Sequence, residues 1–314
     1  MENLIFSLNA TVPIFLLIVI GYFLHKIGLY GDKFAKRANQ FVFKIALPVM
    51  LFKELATADF ASMWDTGYVG FCFLATFGSI LLAVIYAKLF VKKNVQGEFA
   101  QAAYRSSAAL LGCAFIQNIY NEAGPAPLMI IGTVPLYNIA AVVILNLMKE
   151  ENAKLTKDVA KTTLKGIVTN PIIIGIALGF VWSVLKLPMI TVMNKTLTSV
   201  SNLATPLGLM TLGATFDFSK AKGSIKDASI CSLFKLVICA AIFIPIAVAL
   251  GYREAKLVSI LVMLGGATTV SCFVMAENLG HEGTLTSSVV VITTIFSAFT
   301  LTGWLYMLKS LAYI

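Results

Sequence analysis

The polar residues best suited to binding a ligand lie in a short stretch inside an apolar segment near the C-terminal end. In order they are Gly265, Gly266, Ala267, Thr268, Thr269 and Ser271. Two adjacent glycines followed by hydroxyl residues make a weak helix with partly free backbone groups. In lipid such a segment is tolerated only where it is buried in protein or lines a watery cavity. The stretch therefore predicts a helix that is interrupted near the membrane centre.

A second stretch of small and polar residues, 110–121, lies in the fourth apolar segment and is its predicted partner. Its candidate ligand-binding residues, with those just before it, are Arg105, Ser107, Gly112, Cys113, Ala114 and Gln117. If each helix breaks near its middle, two helix N-termini meet at the bilayer centre. Helix N-termini present unpaired N–H groups and partial positive charge, which favours an anion such as a carboxylate. The alternative is that small residues here only permit close helix packing.

The amino-acid composition predicts that transmembrane helices position these two stretches. The chain has 314 residues, 59% hydrophobic and 12% charged, whereas a soluble domain carries about 25% charge. The sequence predicts an all-α polytopic membrane protein with ten transmembrane helices and no soluble domain. The predicted spans are residues 9–29, 38–56, 66–90, 99–121, 125–148, 163–186, 190–216, 228–250, 255–278 and 284–311.

Basic residues are concentrated in the loops after spans one, three, five and seven. The positive-inside rule places these loops in the cytoplasm, and so both termini outside the cell membrane. The net charge of +9 is thus explained by topology, and we expect the lipid bilayer rather than nucleic acid as a partner. No paired aspartates, serine–histidine set or metal cluster is visible in the spans, so neither an enzyme nor a cofactor is expected.

An internal repeat connects the two halves of the chain. Pro13 and Pro171 each begin a similar apolar run, and Pro48 and Pro206 begin another, with a separation of 158 residues in both pairs. Because five spans per copy is an odd number, residues 1–150 and 151–314 are predicted to form two five-helix repeats of opposite orientation. Inverted repeats are a transporter architecture with binding at the midplane. The alternative is chance recurrence of proline and glycine.

A few ionisable or polar residues inside the spans are further candidates. Arg105 could attract an anion to the crossing, whereas Lys235 is expected to extend to the interface. Asn138 could bind substrate or make an interhelical hydrogen bond. Glu54 and Glu277 lie near span ends, so no carboxylate proton relay is evident. A coupling ion, Na⁺ or H⁺, stays open, since carbonyls and hydroxyls could still bind a cation.

Four motifs resemble the auxin efflux carrier family, in its bacterial branch of malate and malonate permease-like proteins. They are FVFKIALPVMLFKELA (41–56), TNPIIIGIALGF (169–180), LATPLGLMTLGATF (203–216) and FVMAENLG (273–280). The resemblance implies a fold similar to bile-acid symporters, with a scaffold of spans one, two, six and seven. Spans three to five and eight to ten would form a crossover domain, with the helix-breaking Pro48, Pro171 and Pro206 in the scaffold. The scaffold helices are also a candidate homodimer surface.

The crossing departs from the family pattern. The family has an asparagine where Ser107 stands, and prolines where Ala114 and Ala267 stand. The breaks would then depend on Gly112, Gly265 and Gly266. The sequence predicts a secondary transporter of a small carboxylate such as malate or malonate, working by elevator-like alternating access. An anion-selective channel is the alternative, and an intramembrane sensor or enzyme is a more distant one.

Overall fold

The described part of the chain is built from helices. The computed structural model describes residues 2–57, 65–108, 116, 119–120, 124–149, 164–166 and 168–314. Its helices are α1 (Glu2–Lys26), α2 (Asp32–Phe41), α3 (Leu47–Ala56), α4 (Thr66–Phe90), α5 (Gln96–Tyr104), α6 (Ala126–Leu147), α7 (Pro171–Val184), α8 (Thr191–Ser201), α9 (Ala204–Thr215), α10 (Phe218–Leu233), α11 (Cys239–Ala249), α12 (Glu254–Gly265), α13 (Ser271–Asn278) and α14 (Thr284–Ser310).

Each of the ten predicted spans contains helix in this structure. Among the described residues, four continuous helices are long and apolar enough to cross a membrane: α4, α6, Ala221–Ala249 and α14. Helix α4 has the predicted bounds, 66–90. Other segments are divided into shorter helices, and spans four and nine are among them. A polytopic membrane protein is therefore the fold class, and the division of spans four and nine concerns the candidate site.

Helices from the two halves of the chain approach each other closely at glycines. A Cβ atom added to Gly21 of α1 would lie 2.1 Å from the Met210 carbonyl oxygen of α9. A Cβ atom added to Gly179 of α7 would lie 2.7 Å from the Phe52 carbonyl oxygen of α3. Glycine is required in both places because the neighbouring backbone occupies the space of a side chain. Gly179 and Met210 lie 158 positions after Gly21 and Phe52, respectively.

The three predicted scaffold prolines lie at or near helix starts. Pro48 follows a π-helical turn, Val42–Ala46, since proline has no N–H to donate to the preceding turn. Pro171 is the first residue of α7, where the Asn170 side chain accepts a 2.9 Å hydrogen bond from the Ile172 N–H. Pro206 lies in the first turn of α9, shortly after α8 ends. The prolines thus shape helix starts rather than a ligand site.

Polar contacts group the span ends into two sides. At one side, Lys256 Nζ at the start of α12 lies 2.6 Å from the Asp65 carboxylate, which caps α4. At the other side, Asn39 of α2 donates a short hydrogen bond to the Glu277 carboxylate of α13. If successive spans cross the membrane in opposite directions, as predicted, these two pairs of span ends must each lie on one side.

Glu98 joins the start of span four to the start of span ten. Its carboxylate is fully buried and accepts hydrogen bonds from the Gly283 N–H at 3.0 Å and the Thr286 N–H at 2.9 Å. The Thr286 hydroxyl donates a third bond at 2.8 Å. These N–H groups belong to the first turn of α14, where the helix has no partner of its own for them. Glu98 therefore acts as a cap for α14 supplied from a distant part of the chain.

Candidate functional site

Span nine is interrupted where the sequence predicted. Helix α12 ends at Gly265, and α13 begins at Ser271. A Cβ atom added to Gly266 would lie 2.6 Å from the Val262 carbonyl oxygen and 2.7 Å from the Ser106 hydroxyl. At Gly265 the nearest atom would be 3.4 Å away. Gly266 is therefore the glycine that the interruption requires, because it lies against span four without room for a side chain.

Span four is interrupted earlier than predicted, before Gly112 is reached. Helix α5 ends at Tyr104, and Arg105 has an extended backbone with φ −75° and ψ 121°. Residues 105–107 are non-helical. Arg105 therefore lies in the interruption itself, not on a helix face leading to it. The remaining residues predicted for this stretch, Gly112, Cys113, Ala114 and Gln117, lie outside the described residues.

The two interruptions pair with each other. Ser106 and Thr268 form an antiparallel bridge, and the Ser107 N–H donates to the Ala267 carbonyl oxygen at 2.9 Å. The backbone groups that leave the helix in one span thus find partners in the other, as the membrane interior demands.

Two hydroxyls exchange hydrogen bonds with the helix ends across the crossing. The Ser106 hydroxyl donates to the Val262 carbonyl at 3.0 Å, and the Thr268 hydroxyl donates to the Ala102 carbonyl at 3.0 Å. Both acceptors lie in the last turn of a helix, where carbonyls begin to lack intrahelical partners, and the Val262 carbonyl accepts from the Gly266 N–H as well, at 2.9 Å. The Thr268 hydroxyl, predicted to bind substrate, therefore serves the crossing.

Lys235 stabilises the C-terminal end of α12, contrary to the prediction that it extends to the interface. Its side chain is 0% exposed, and its ammonium donates to the carbonyls of Met263 at 3.4 Å and Leu264 at 2.5 Å. The Tyr137 hydroxyl donates to the Met263 carbonyl as well, at 3.1 Å. A helix C-terminus carries partial negative charge, so it holds the ammonium inside the protein.

Arg105 is buried in the crossing and is bound by neutral groups. One guanidinium nitrogen, Nη2, donates to Asn138 Oδ1 and to the Ser271 hydroxyl, both at 2.8 Å. Nη1 lies 2.8 Å from the sulfur of Met275. Nε is buried and has no partner among the described residues. Asn138 makes the interhelical bond that was one of its two predicted roles, because its acceptor atom faces span four.

Arg105 makes no ion pair within the described part of the protein. Neither ion pair found there involves Arg105. A buried charge that is not paired is strongly unfavourable. The first turn of α13, beginning at Ser271, adds partial positive charge beside it. The arrangement can therefore bind an anion. Within the described ranges, no group of three or more His, Cys, Asp or Glu side chains could hold a metal ion.

A narrow pocket opens beside Arg105 and contains several of the predicted site residues. Arg105, Ser107, Asn138, Thr269 and Ser271 line it. The Thr269 and Ser271 hydroxyls lie 3.2 Å apart. Ala267 and Thr268 line a neighbouring pocket together with Ser107 and Thr269. The glycines Gly265 and Gly266 line neither pocket, so their contribution is to the backbone of the crossing.

Other lining residues escaped the sequence interpretation. Glu54 was expected near the end of span two, yet its side chain lines the Arg105 pocket, as do Leu47, Met50 and Leu51 of the same helix. Tyr137 and Thr205 also line it. A signal was available for Glu54, because it lies on the same helix as Pro48 in one of the repeated motifs. Its direction into the pocket depends on the packing of α3, which the sequence does not reveal.

Comparison with known proteins agrees with the geometry. Residues 6–305 match the family described as membrane transport protein. An uncharacterized transporter of Methanothermobacter thermautotrophicus is 22% identical over 302 residues, covering 95% of this chain and 97% of that protein. The family is one of transporters, so the protein is not an enzyme. Because the family match covers almost its whole length, the chain belongs to the membrane transport proteins, the auxin efflux carrier family that its motifs indicated.

Proposed function

We propose that the protein is a secondary transporter of a small organic anion, a carboxylate such as malate or malonate. The anion binds beside Arg105 at the crossing of spans four and nine. Its carboxylate takes hydrogen bonds from the guanidinium and from the hydroxyls of Ser107, Thr269 and Ser271. Alternating access then moves the site between the two faces of the cell membrane.

The observation that supports this proposal most strongly is the state of Arg105. A guanidinium offers five N–H donors in a fork that matches a carboxylate. Here it is 2% exposed, touches only neutral acceptors, and leaves Nε without a partner among the described residues. A bound carboxylate would balance the charge and fill the remaining donor. The N-terminal end of α13 would add to the attraction.

The transport architecture that we propose is a ten-span inverted repeat with both termini outside. The paired glycine contacts at an offset of 158 residues support it, because they join the same two positions of each half. The reciprocal hydroxyl bonds of Ser106 and Thr268 support it as well. In this arrangement α1, α3, α7 and α9 belong to the scaffold. The scaffold slides against the crossover domain in an elevator-like motion and forms a homodimer surface.

Counterflow exchange in proteoliposomes tests the proposal. Vesicles loaded with unlabelled malonate, malate, acetate or lactate are given a labelled trace of the same acid. We expect saturable exchange for at least one carboxylate. Flux that does not saturate and shows no exchange would support an anion channel instead, and no flux with any carboxylate would contradict the proposal.

A matched pair of variants tests the site. Arg105→Gln removes the charge at the crossing, and we expect exchange to fall roughly ten- to hundredfold, since a charged hydrogen bond contributes roughly 1.5–3 kcal/mol. Arg37→Gln removes an exposed arginine on α2 and should leave exchange unchanged. Equal activity of the two variants would sink the assignment of Arg105.

A further inference from the structure

A carboxyl group faces the same pocket as Arg105 but does not pair with it. Glu54 lies on α3, within the scaffold helices of the proposed architecture, and lines the pocket together with Arg105 of the crossing. Its Oε2 atom is buried and has no hydrogen-bond partner among the described residues. No ion pair in the described ranges involves Glu54 either. A buried carboxylate oxygen without a partner is unfavourable unless it gains a proton or a ligand.

The charged groups around Glu54 are few. Helix α3 contacts α7, α8 and the π-helical turn before Pro48. Helix α7 has no charged residue. The charged residues of the other two elements are Lys195 of α8 and Lys44 of the turn, both exposed. Lys53 is the neighbour in the chain, and Arg105 faces Glu54 from the crossing. No described cation satisfies the buried oxygen directly.

We propose that Glu54 binds the proton that accompanies the anion, so that the carrier is an anion–proton symporter. The inference rests on the proposed function, since it assumes an anion beside Arg105. That anion brings a second negative charge into a pocket that already holds Glu54 and a single buried cation. A proton taken from water at the open face binds a Glu54 carboxylate oxygen and removes the repulsion. It leaves to water with the anion at the other face.

This assignment explains why the carboxyl group is placed on α3 rather than on the crossing. A proton site on the scaffold and an anion site on spans four and nine meet in one pocket only when the two domains are in register. Each ligand thus favours the binding of the other, because thermodynamic coupling between two sites is reciprocal. The competing explanation is that Glu54 pairs with a cationic group of the substrate, such as an ammonium.

The test measures accumulation against a pH gradient in proteoliposomes. The probe is labelled malonate or malate, with the membrane potential held at zero by valinomycin and equal potassium. For a 1:1 symport of the probe dianion with one proton, we expect the wild type to accumulate the dianion roughly tenfold per unit of inside-alkaline gradient, since one pH unit is a tenfold driving force. Protein-free vesicles correct for passive entry of the undissociated acid.

Glu54→Gln keeps the shape of the side chain and cannot exchange a proton, so it should abolish accumulation, and the counterflow exchange that it retains should no longer depend on the pH set equal on both sides. Glu282→Gln, an exposed position, is the matched control and should behave as the wild type. Wild-type exchange without a response to the gradient would overturn the symport, as would gradient-driven accumulation by Glu54→Gln. Absence of wild-type exchange would instead overturn the proposed function. Stabilisation of the wild type only by zwitterionic acids would favour the cationic-substrate explanation.

Discussion

The interruptions of spans four and nine are built alike in their backbone and differently in their charges. Each ends a helix and continues as extended chain, and each receives a hydroxyl bond from the other, through Ser106 and Thr268. The two buried cations, Lys235 and Arg105, differ between the interruptions. Lys235 binds the C-terminal carbonyls of α12 and is sealed in the protein. Arg105 stands at the interruption of span four and lines a pocket.

The difference separates residues that stabilise the crossing from residues that bind a ligand there. The hydroxyls are shared equally because both spans must satisfy their freed backbone groups in lipid. Lys235 binds the end of α12 through two carbonyls of the protein and lines neither pocket of the crossing. Among the described residues, Arg105 has neutral partners, and its Nε has none. Substitution at the first cation should therefore affect folding, and substitution at the second should affect binding.

The largest effect on stability is expected for Lys235→Met. The methionine fills similar space but removes the donor of the buried Leu264 carbonyl and leaves the Met263 carbonyl with the Tyr137 hydroxyl alone, which costs roughly 2–3 kcal/mol. We expect the melting temperature in detergent to fall by more than about 5 °C, and to fall far less for Arg105→Gln. Comparable melting temperatures for the two variants would erase the distinction between them.

Gly266→Ala should have the next largest effect. The new methyl group meets the Val262 carbonyl oxygen and the Ser106 hydroxyl, and overpacking of this kind costs roughly 1–3 kcal/mol. Gly265→Ala is the matched control, because its methyl group meets nothing closer than 3.4 Å. Thermal unfolding and exchange rate are measured for both variants. If Gly265→Ala reduced stability or exchange more than Gly266→Ala, the close contact of the crossing would lie at Gly265 rather than at Gly266.

Ser106→Ala and Thr268→Val test whether the two hydroxyl bonds are equivalent. Each variant removes one hydroxyl donor from a buried carbonyl, at a cost of roughly 1 kcal/mol. Equal losses in melting temperature are expected, and the double variant should show non-additivity since the two residues are bridge partners. Strongly unequal losses in melting temperature would mean that one hydroxyl bond stabilises the crossing and the other does not.

The smallest effect is expected at the surface tie between α4 and α12. The hydrogen bond from Lys256, followed by that from the Tyr68 N–H, lowers the pKa of the Asp65 carboxyl. Because the pKa is lower in the folded state, this stabilisation is complete at neutral pH and is lost as the pH falls through the lowered value. The pair is half-exposed, so its contribution is below about 1 kcal/mol.

Melting temperatures at neutral and acid pH check this sign. Wild type should exceed Asp65→Asn slightly at neutral pH, and the gap should close in acid. Lys256→Gln should resemble Asp65→Asn at neutral pH, because either change removes the same pair. A gap that widened on acidification would contradict a lowered pKa for the Asp65 carboxyl.

Much of this fold could be predicted from the sequence because it follows from hydrophobic length. The bounds of α4 and the interruption after Gly265 required only apolar runs and adjacent glycines. The interruption at Arg105 could not be located, since no glycine or proline marks it and its partners lie in span nine. Lys235 was misplaced for a similar reason: its carbonyl acceptors are distant in the chain. The charge at 105 and the two serines after it were the available signal.

Glu98 has a consequence for selectivity. The N-terminal end of α14 could itself attract a negatively charged molecule, because it offers N–H donors in the protein interior. Glu98 occupies those donors with the protein's own carboxylate, and so acts as a permanently bound competitor. A substrate anion that enters the protein therefore cannot bind at the start of α14, because Glu98 already occupies those N–H groups. The anion is attracted to Arg105 instead.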